Sequence, residues 1–495
     1  MTAFPSCPAP FNLAAHALSR AGGLADKSAL QVIRPQGAER WSYGRLEAAV
    51  RGCGTALLAR GLLPGDRVMM RLANTPAFPV LFLGAIAAGL VPVPTSSALT
   101  APEATRLAAR ISPRLIVADE GVALPDHPAP VLPAAEALAM ERCAPCAYDM
   151  GDPDRLAYVV FTSGTSGNPL PVAHAHRALW ARGMMHQGWE GLTGADRLLH
   201  AGAFNWTFTL GTGLLDPWVN GATALIPGPG VTPAELPLLL KRFDATIFAA
   251  APGVIRQMLR APLPALPRLR HGLTAGEALA PALRRQWQEV TGTDLHEALG
   301  MSECSTYLSG SPARPAPEGT TGYPQPGRRL ALLDEAGRGA DEGLIAIHRD
   351  DPGLMIGYLD LPAETAARWQ GDWFVTGDHA IRHPDGSLTW LGRADDLMNA
   401  GGFRVSPAEV EAALAGLPGV TELAVCAVEV KAGVEVIGCG YVAATDEGAA
   451  LAARAEAALA RWKQPRLYRR LPALPRGANA KLNRRALRAA LEAEE

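Results

Sequence analysis

Ala157-Tyr158-Val159-Val160-Phe161-Thr162-Ser163-Gly164-Thr165-Ser166-Gly167-Asn168-Pro169 is an apolar run that ends in a loop of small hydroxyl and glycine residues. The apolar half reads as a buried strand, and a helix is expected to begin near His174. Glycines let backbone N–H groups converge on an anion, and Ser/Thr hydroxyls add donors, so the loop suits a polyphosphate. No Gly-Lys-Ser/Thr follows, which excludes the P-loop of nucleoside triphosphatases. By itself, such a loop reads equally well as a solvated surface turn.

Apolar runs alternate with helical patterns on both sides of this stretch. Upstream, 68–72, 91–93 and 115–118 read as strands, with helices over 77–89 and 103–111 between them. Downstream, strands over 197–200, 222–226, 246–248 and 270–274 alternate with helices over 208–218, 235–243 and 254–259. That rhythm predicts parallel sheets covered by helices. From Gly319 the strands shorten and turn pairs such as Asp385-Gly386 appear, so a β-rich unit is expected. After Ser406, Pro407 and Glu409 open a helix with an N-cap, a proline at its first position and an early acid. Strands over 423–430 and 434–442 and an Ala-rich helix reaching Trp462 follow. The expected fold class is α/β: a large N-terminal domain of two α/β sheet-helix subdomains plus a β-rich subdomain, residues 1–392, and a small α+β C-terminal domain, 393–495.

The 46 Lys+Arg and 48 Asp+Glu among 495 residues give a net charge of -2. That balance offers no general attraction to nucleic acid or an anionic membrane surface. Seven cysteines, an odd number, argue against a full disulfide framework. The greasiest run, 80–94, is broken by Gly84, Gly89 and Pro92 and is too short to span a bilayer. Met1-Thr2-Ala3-Phe4-Pro5 lacks the basic region of a signal peptide, so a cytoplasmic protein is expected.

Six further segments carry chemistry-bearing residues: Thr274-Ala275-Gly276-Glu277-Ala278-Leu279, Leu299-Gly300-Met301-Ser302-Glu303, Trp373-Phe374-Val375-Thr376-Gly377-Asp378, Gly392-Arg393-Ala394-Asp395-Asp396-Leu397-Met398-Asn399, Gly401-Gly402-Phe403-Arg404-Val405-Ser406 and Pro475-Arg476-Gly477-Ala478-Asn479-Ala480-Lys481-Leu482. Together with the phosphate loop, in this order, they resemble the motifs of the adenylate-forming superfamily: acyl- and aryl-CoA ligases, luciferases and peptide-synthetase adenylation domains. The resemblance spans about residues 157 to 481 and rests on ordered motifs, not on one loop.

The resemblance implies an enzyme that uses ATP, Mg²⁺ and coenzyme A. Thr162, Ser163, Gly164, Thr165, Ser166 and Gly167 would hold phosphates. Gly276, Glu277 and Ala278 would meet the adenine, and Gly300, Met301 and Ser302 the nucleotide. Glu303 would bind magnesium, Asp378 the ribose hydroxyls, and Arg393 ribose or phosphate oxygens. Lys481 would bridge the carboxylate and the α-phosphate. Asp395 would be the pivot of a mobile C-terminal domain, which would turn Gly401, Gly402 and Phe403 toward the pantetheine arm. Each of these residues by itself has a plainer reading, as a turn acid or a solvated charge.

Two departures stand out. The phosphate loop continues Pro169-Leu170-Pro171 where the family carries Pro-Lys-Gly, which removes one cation and one backbone donor. Leu299 is aliphatic where many members carry an adenine-stacking aromatic, a departure that benzoate-type ligases share. Residues 205–214 occupy the segment that lines the acyl pocket in such relatives, and 210–214 and 221–224 resemble benzoate–CoA ligases as well. Trp206, Thr207, Phe208, Ala275, Leu299 and Thr306 are the expected substrate pocket, with the aromatics able to face a ring. They read equally as core. Asn205, where amino-acid-activating relatives place an aspartate, argues against an amino-acid substrate. The expected function is ligation of an aromatic or small cyclic carboxylic acid to CoA through an acyl-adenylate, by a chain compatible with a homodimer. The alternatives are an adenylation enzyme loading a carrier protein, and a catalytically impaired nucleotide-binding homologue. Cys143 and Cys146, the pair His174 and His176, and Cys304 carry too little around them for a metal or nucleophile assignment.

Overall fold

The computed structural model describes residues 4–162, 169–394, 396, 398–400, 403–431, 434–476 and 482–493. Its largest sheet has nine strands in the order Tyr323–Pro324, Ser305–Ser309, Asp294–Met301, His271–Ala275, Ile247–Ala249, Arg197–His200, Thr223–Pro227, Ser28–Arg34 and Gly37–Ser42. The six from Asp294–Met301 to Ser28–Arg34 run parallel. Their interior residues are apolar almost without interruption, as a sheet covered on both faces requires. One edge is closed by Ser28–Arg34 and Gly37–Ser42, whose partner strand lies nearly two hundred residues away in sequence, so local periodicity gave no sign of it.

A second sheet, all parallel, contains Val91–Pro94, Arg67–Arg71, Leu115–Ala118 and Val131–Pro133. The wholly buried helix Ala77–Ala87 packs on Tyr43–Ala59. A Cβ on Gly84 would fall 2.9 Å from the Val50 carbonyl oxygen, so glycine is what lets the two backbones approach. The β-rich unit is an antiparallel sheet built on Glu342–His348, Trp373–Arg382 and Leu388–Arg393. In the C-terminal unit, Val420–Lys431, Val434–Ala443 and Leu467–Arg470 form a sheet under helix Arg484–Glu492, whose Leu487 and Leu491 are buried over Gly438 and Gly440. Ser406 caps helix Pro407–Leu414 by accepting from the Glu409 N–H, as expected. The Ala-rich helix ends at Ala458, short of Trp462.

Two expectations are corrected. No helix begins near His174; Pro171–Ala175 is a strand that returns antiparallel against Leu156–Phe161 and also pairs with Gly357–Tyr358. Its five residues are buried, and a β-hairpin satisfies their backbone groups while keeping both ends of the phosphate loop together. His174 therefore lies inside a sheet, and the helix starts at Arg177. The segment expected as an ordinary helix over 208–218 is π-helical over Thr209–Leu215, then α-helical over Asp216–Val219. π-helical turns concentrate at functional sites. The expected boundary at 392/393 falls inside strand Leu388–Arg393.

Candidate active site

The carboxyl ends of Arg197–His200, Ile247–Ala249, His271–Ala275 and Asp294–Met301 lie side by side, the position where open α/β sheets bind ligands. His271–Ala275 ends in Gly276, at φ +94°, a left-handed turn that glycine makes at little cost. Asp294–Met301 then folds back through Glu303 into Ser305–Ser309. A Cβ on Gly300 would fall 2.5 Å from the Thr306 Cα, so that hairpin also requires glycine.

Glu303 is buried at this fold-back, and Tyr358 donates its hydroxyl to Glu303 Oε1 at 2.7 Å. Tyr358 belongs to the three-stranded sheet that carries the phosphate loop, so this bond ties the loop's scaffold to the main sheet. Asp378 is held in the same way from the β-rich sheet. Tyr307 donates to its Oδ2 at 2.6 Å, and the Trp390 indole to its Oδ1 at 3.1 Å. Arg393 Nη1 stands 4.0 Å from Asp378 Oδ1 and donates to the Thr376 carbonyl at 2.8 Å. Burial pushes the Asp378 carboxyl above its ordinary value, against the opposing pull of Arg393 and the two hydrogen bonds.

Glu297, one pleat before Leu299, accepts from the Leu279 N–H at 2.8 Å and faces Arg284 at 3.5 Å. Burial raises it to about 7, with that backbone bond and Arg284 opposing. His174, stacked on Tyr158, is held neutral by burial and donates Nε2–H to the Ser302 carbonyl at 2.8 Å. At the base of the phosphate loop the Leu170 N–H donates to Thr162 Oγ1, and the Thr162 N–H to the Leu170 carbonyl, both at 3.0 Å. Leu170 packs on the core where the family has lysine, while Arg110 donates to the Pro169 carbonyl at 3.3 Å.

Of the expected substrate pocket, Trp206, Phe208 and Ala275 share one apolar cluster with Trp189, Leu198, Ala249 and Ala298. The Trp206 and Phe208 rings meet edge-on at 5.1 Å, and Trp189 lies 5.5 Å from Phe208. Thr207 is half-buried beside them. Leu299 packs against the neighbouring core, and the Thr306 hydroxyl accepts from Gln325 at 3.0 Å beside Met185. Behind this wall lies a buried ionic group. Arg182 pairs both oxygens of Asp216, Thr212 donates to Glu190 Oε1 at 3.0 Å, and His186 faces Asp216 at 3.4 Å. His186, Glu190 and Asp216 are within metal-ligating reach of one another, but the Arg182 guanidinium already supplies the cation there. Burial, with Asp216 beside it, pushes the Glu190 carboxyl well above its ordinary range, against the pull of Arg182 and Thr212.

Glu303, Asp378 and Arg393 are thus brought around one fold-back, and Trp206, Phe208 and Ala275 around one wall. Ser163, Gly164, Thr165, Ser166, Gly167, Asp395, Gly401, Gly402 and Lys481 lie outside the described residues, as does the side chain of Phe403. The sequence reading missed Tyr307, Tyr358, Trp390, His174 and Glu297. Glu297 and Trp390 each stand two residues from a motif and Tyr307 four from Glu303, but the two tyrosines lie 71 and 55 residues from the carboxylates they hold.

The profile of the AMP-binding enzyme family matches residues 19–359, and that of its C-terminal domain residues 409–481. The chain is 31% identical over 486 residues to a benzoate–CoA ligase of Thauera aromatica, covering 91% of each. It is 31% identical over 484 residues to a 4-hydroxybenzoate–CoA/benzoate–CoA ligase of Rhodopseudomonas palustris, covering 90% of this chain and 88% of the relative. A crystal structure of a benzoate CoA ligase from Burkholderia xenovorans superposes with a TM-score of 0.86 at 28% identity, over 97% of this chain and all of that one.

Proposed function

The chain belongs to the AMP-binding enzyme family, and from that membership we propose that it is an ATP-dependent ligase joining an aromatic carboxylic acid to coenzyme A. The carboxylate oxygen attacks the α-phosphate of ATP, pyrophosphate leaves, and the acyl-adenylate forms. The thiol of CoA then attacks the acyl carbon and AMP leaves. The observation that carries this reading is one fold-back at the carboxyl ends of the parallel strands. It gathers two tyrosine-held carboxylates, and the strand leading into it places Ala298 in the apolar cluster of Trp206 and Phe208.

Asp378, fixed by Tyr307 and Trp390, is placed to accept from the ribose hydroxyls, and Arg393 beside it to meet ribose or phosphate oxygens. Glu303, a buried carboxylate steadied by a tyrosine hydroxyl, fits a hard ion that takes one or two protein oxygens and completes its shell with phosphates. Magnesium bound there would neutralise charge as two anions approach. Gly276, Glu277, Ala278, Gly300, Met301 and Ser302 line the nucleotide, with Ser302 positioned by His174. Lys481 steadies the charge between carboxylate and α-phosphate. The remaining parts of the proposal are the domains 1–392 and 393–495, the pivot at Asp395, and the CoA-facing Gly401, Gly402 and Phe403. A cytoplasmic homodimer completes it, for light scattering and fractionation to check. Among the described residues no helix is long and apolar enough to cross a membrane.

AMP release is the test, measured over benzoates, cinnamates, and cyclic and straight-chain acids, with and without CoA. CoA-dependent AMP release with a benzoate supports the ligase. Pyrophosphate exchange without a CoA thioester would indicate carrier-protein loading instead. ATP binding with no turnover of any acid would indicate an impaired homologue, the reading that Leu170 and Pro171 favour.

A further inference from the structure

Along Arg197–His200, Leu198 points into the apolar cluster of Phe208 and Trp206. His200, two residues on, projects from the same face of the sheet. Its ring lies 4.3 Å from Phe208 in edge geometry, directly behind the aromatic wall. Thr209, next to Phe208, opens the π-helical segment.

Both side chains are wholly buried, at 0% exposure. Among the described residues neither ring nitrogen of His200 has a hydrogen-bond partner, and neither does Thr209 Oγ1. Leaving a buried polar group unpaired costs about 1–3 kcal/mol, so three such atoms together call for a cause. Glycines let the backbone come close to both side chains. A Cβ on Gly202 would run into Thr209 Oγ1 and fall 3.2 Å from His200 Nδ1. One on Gly213 would fall 3.0 Å from the His200 Cβ and 3.3 Å from Thr209 Cγ2. Gly202, just beyond the strand, is half-buried and Ala203 is exposed, so the place lies close to the surface. Burial holds the imidazole neutral, pushing it down to about 3. A neutral imidazole offers one donor and one acceptor, and the threonine hydroxyl offers both.

We propose that His200 and Thr209 form a specificity subsite that hydrogen-bonds a neutral hydroxyl or amino substituent at the end of the aromatic acid remote from its carboxylate. The inference rests on the ligase reading above and adds the class of acid. An unsubstituted ring leaves three buried polar atoms unpaired, whereas a ring carrying a hydroxyl or amine supplies the missing partner. A charged substituent has no counter-ion there, because Arg182 already pairs with Asp216. The nearby ionic group closes the back of the subsite and does not compete for its ligand.

The experiment compares kcat/KM for AMP release with CoA among benzoate and its ortho, meta and para hydroxyl and amino derivatives. It uses the wild-type chain and Thr209→Val, Thr209→Ser and His200→Leu. One substituted isomer is expected to exceed benzoate by at least about tenfold, since a site built to hydrogen-bond rejects the analogue lacking the group. Thr209→Val and His200→Leu should each bring that ratio down several-fold, and Thr209→Ser, which keeps the hydroxyl, should retain it. In the absence of acid, Thr209→Val should also raise Tm, because an unpaired hydroxyl is removed at nearly constant shape. The inference is overturned if the wild type uses benzoate as well as every derivative. It is also overturned if Thr209→Val and His200→Leu both keep the wild-type ratio, which would leave the three atoms to water. No AMP release from any acid would break the ligase reading itself, a result separable from the other two.

Discussion

The two sides of the site handle buried polarity in opposite ways. On the proposed nucleotide side, Glu303 and Asp378 each receive a tyrosine hydroxyl from another part of the chain, and Asp378 receives an indole N–H as well. On the acyl side, His200 and Thr209 are just as deeply buried and have no such partners. The contrast matches what each side would face in the proposed reaction. ATP is the same in every turnover, so its contacts gain from being fixed beforehand by the fold. The acid is what distinguishes one ligase from another, and groups left unpaired discriminate against any acid that fails to pair them.

The largest expected effect tests what the nucleotide side lacks. Arg393 stands beside Asp378, and Leu170 stands in place of the loop lysine, so in the proposed mechanism the charge needed at the α-phosphate falls to Lys481. Lys481→Ala should lower acyl-adenylate formation by about 10³-fold, the scale for removing one electrostatic contact to a transition state. Thioester formation from supplied acyl-adenylate should be largely spared. Equal loss of both half-reactions would show that the lysine acts on the fold or on both steps.

Next comes Glu297, a buried carboxyl that the fold, as at Asp378, compensates incompletely. Glu297 has a backbone donor and Arg284, yet burial still raises it from 4.5 to about 7. The folded chain therefore holds this proton more tightly than the unfolded chain does. Glu297 contributes most below the ordinary glutamate value, loses that contribution as pH rises toward 7, and is constant above it. The interval corresponds to roughly 3 kcal/mol. Urea denaturation from pH 4.5 to 8 should show that decline superimposed on other titrations, and Glu297→Gln should flatten it. An unchanged slope in the variant would place the Glu297 ionisation elsewhere.

How much of this was legible in the sequence follows from the range of each interaction. The parallel strands, the cap at Ser406 and the ordered motifs depend on neighbours within a few residues, so periodicity and composition reached them. The hairpin at Pro171–Ala175 was misread because a short buried run looks alike as strand or helix. The π-helical form of Thr209–Leu215 leaves no periodic signature that distinguishes it from an ordinary helix. Asp378 and Glu303 carried motifs; Tyr307 and Tyr358, which hold them, carried none, because their role arises only when separate sheets meet. His200 and Thr209 were invisible for the same reason, since being unpaired is a property of the surroundings.

Tyr307→Phe breaks the contrast directly by taking one partner from Asp378. The change removes a hydroxyl from a fully buried site and leaves the Trp390 bond in place. A hydrogen bond to a charged group contributes about 1.5–3 kcal/mol, so KM for ATP should rise roughly ten- to a hundredfold. The order of preference among substituted benzoates should stay as it was, because that discrimination belongs to the other side. A shift in acid preference with no change in ATP dependence would mean that the two sides are not separable in this way.

The smallest effect concerns the link between the C-terminal unit and the nucleotide side. Arg476 reaches Glu277 at 3.7 Å in the proposed adenine segment, and Glu422 of its own unit at 3.1 Å. Both partners of the first pair are partly exposed, and such pairs contribute about 0–1 kcal/mol. Glu422 competes for the same guanidinium, so the net preference for Glu277 is smaller still. If the C-terminal unit swings between two arrangements, Glu277 favours the one in which Arg476 faces it. Arg476→Ala should then change the ratio of adenylate-forming to thioester-forming rates by no more than about fivefold. Rising salt should shrink the effect, because it screens an exposed pair more than the buried Tyr307–Asp378 bond. A salt-insensitive loss of a hundredfold would instead make Arg476 part of the nucleotide site, ranking it with the carboxylates that the fold holds in place.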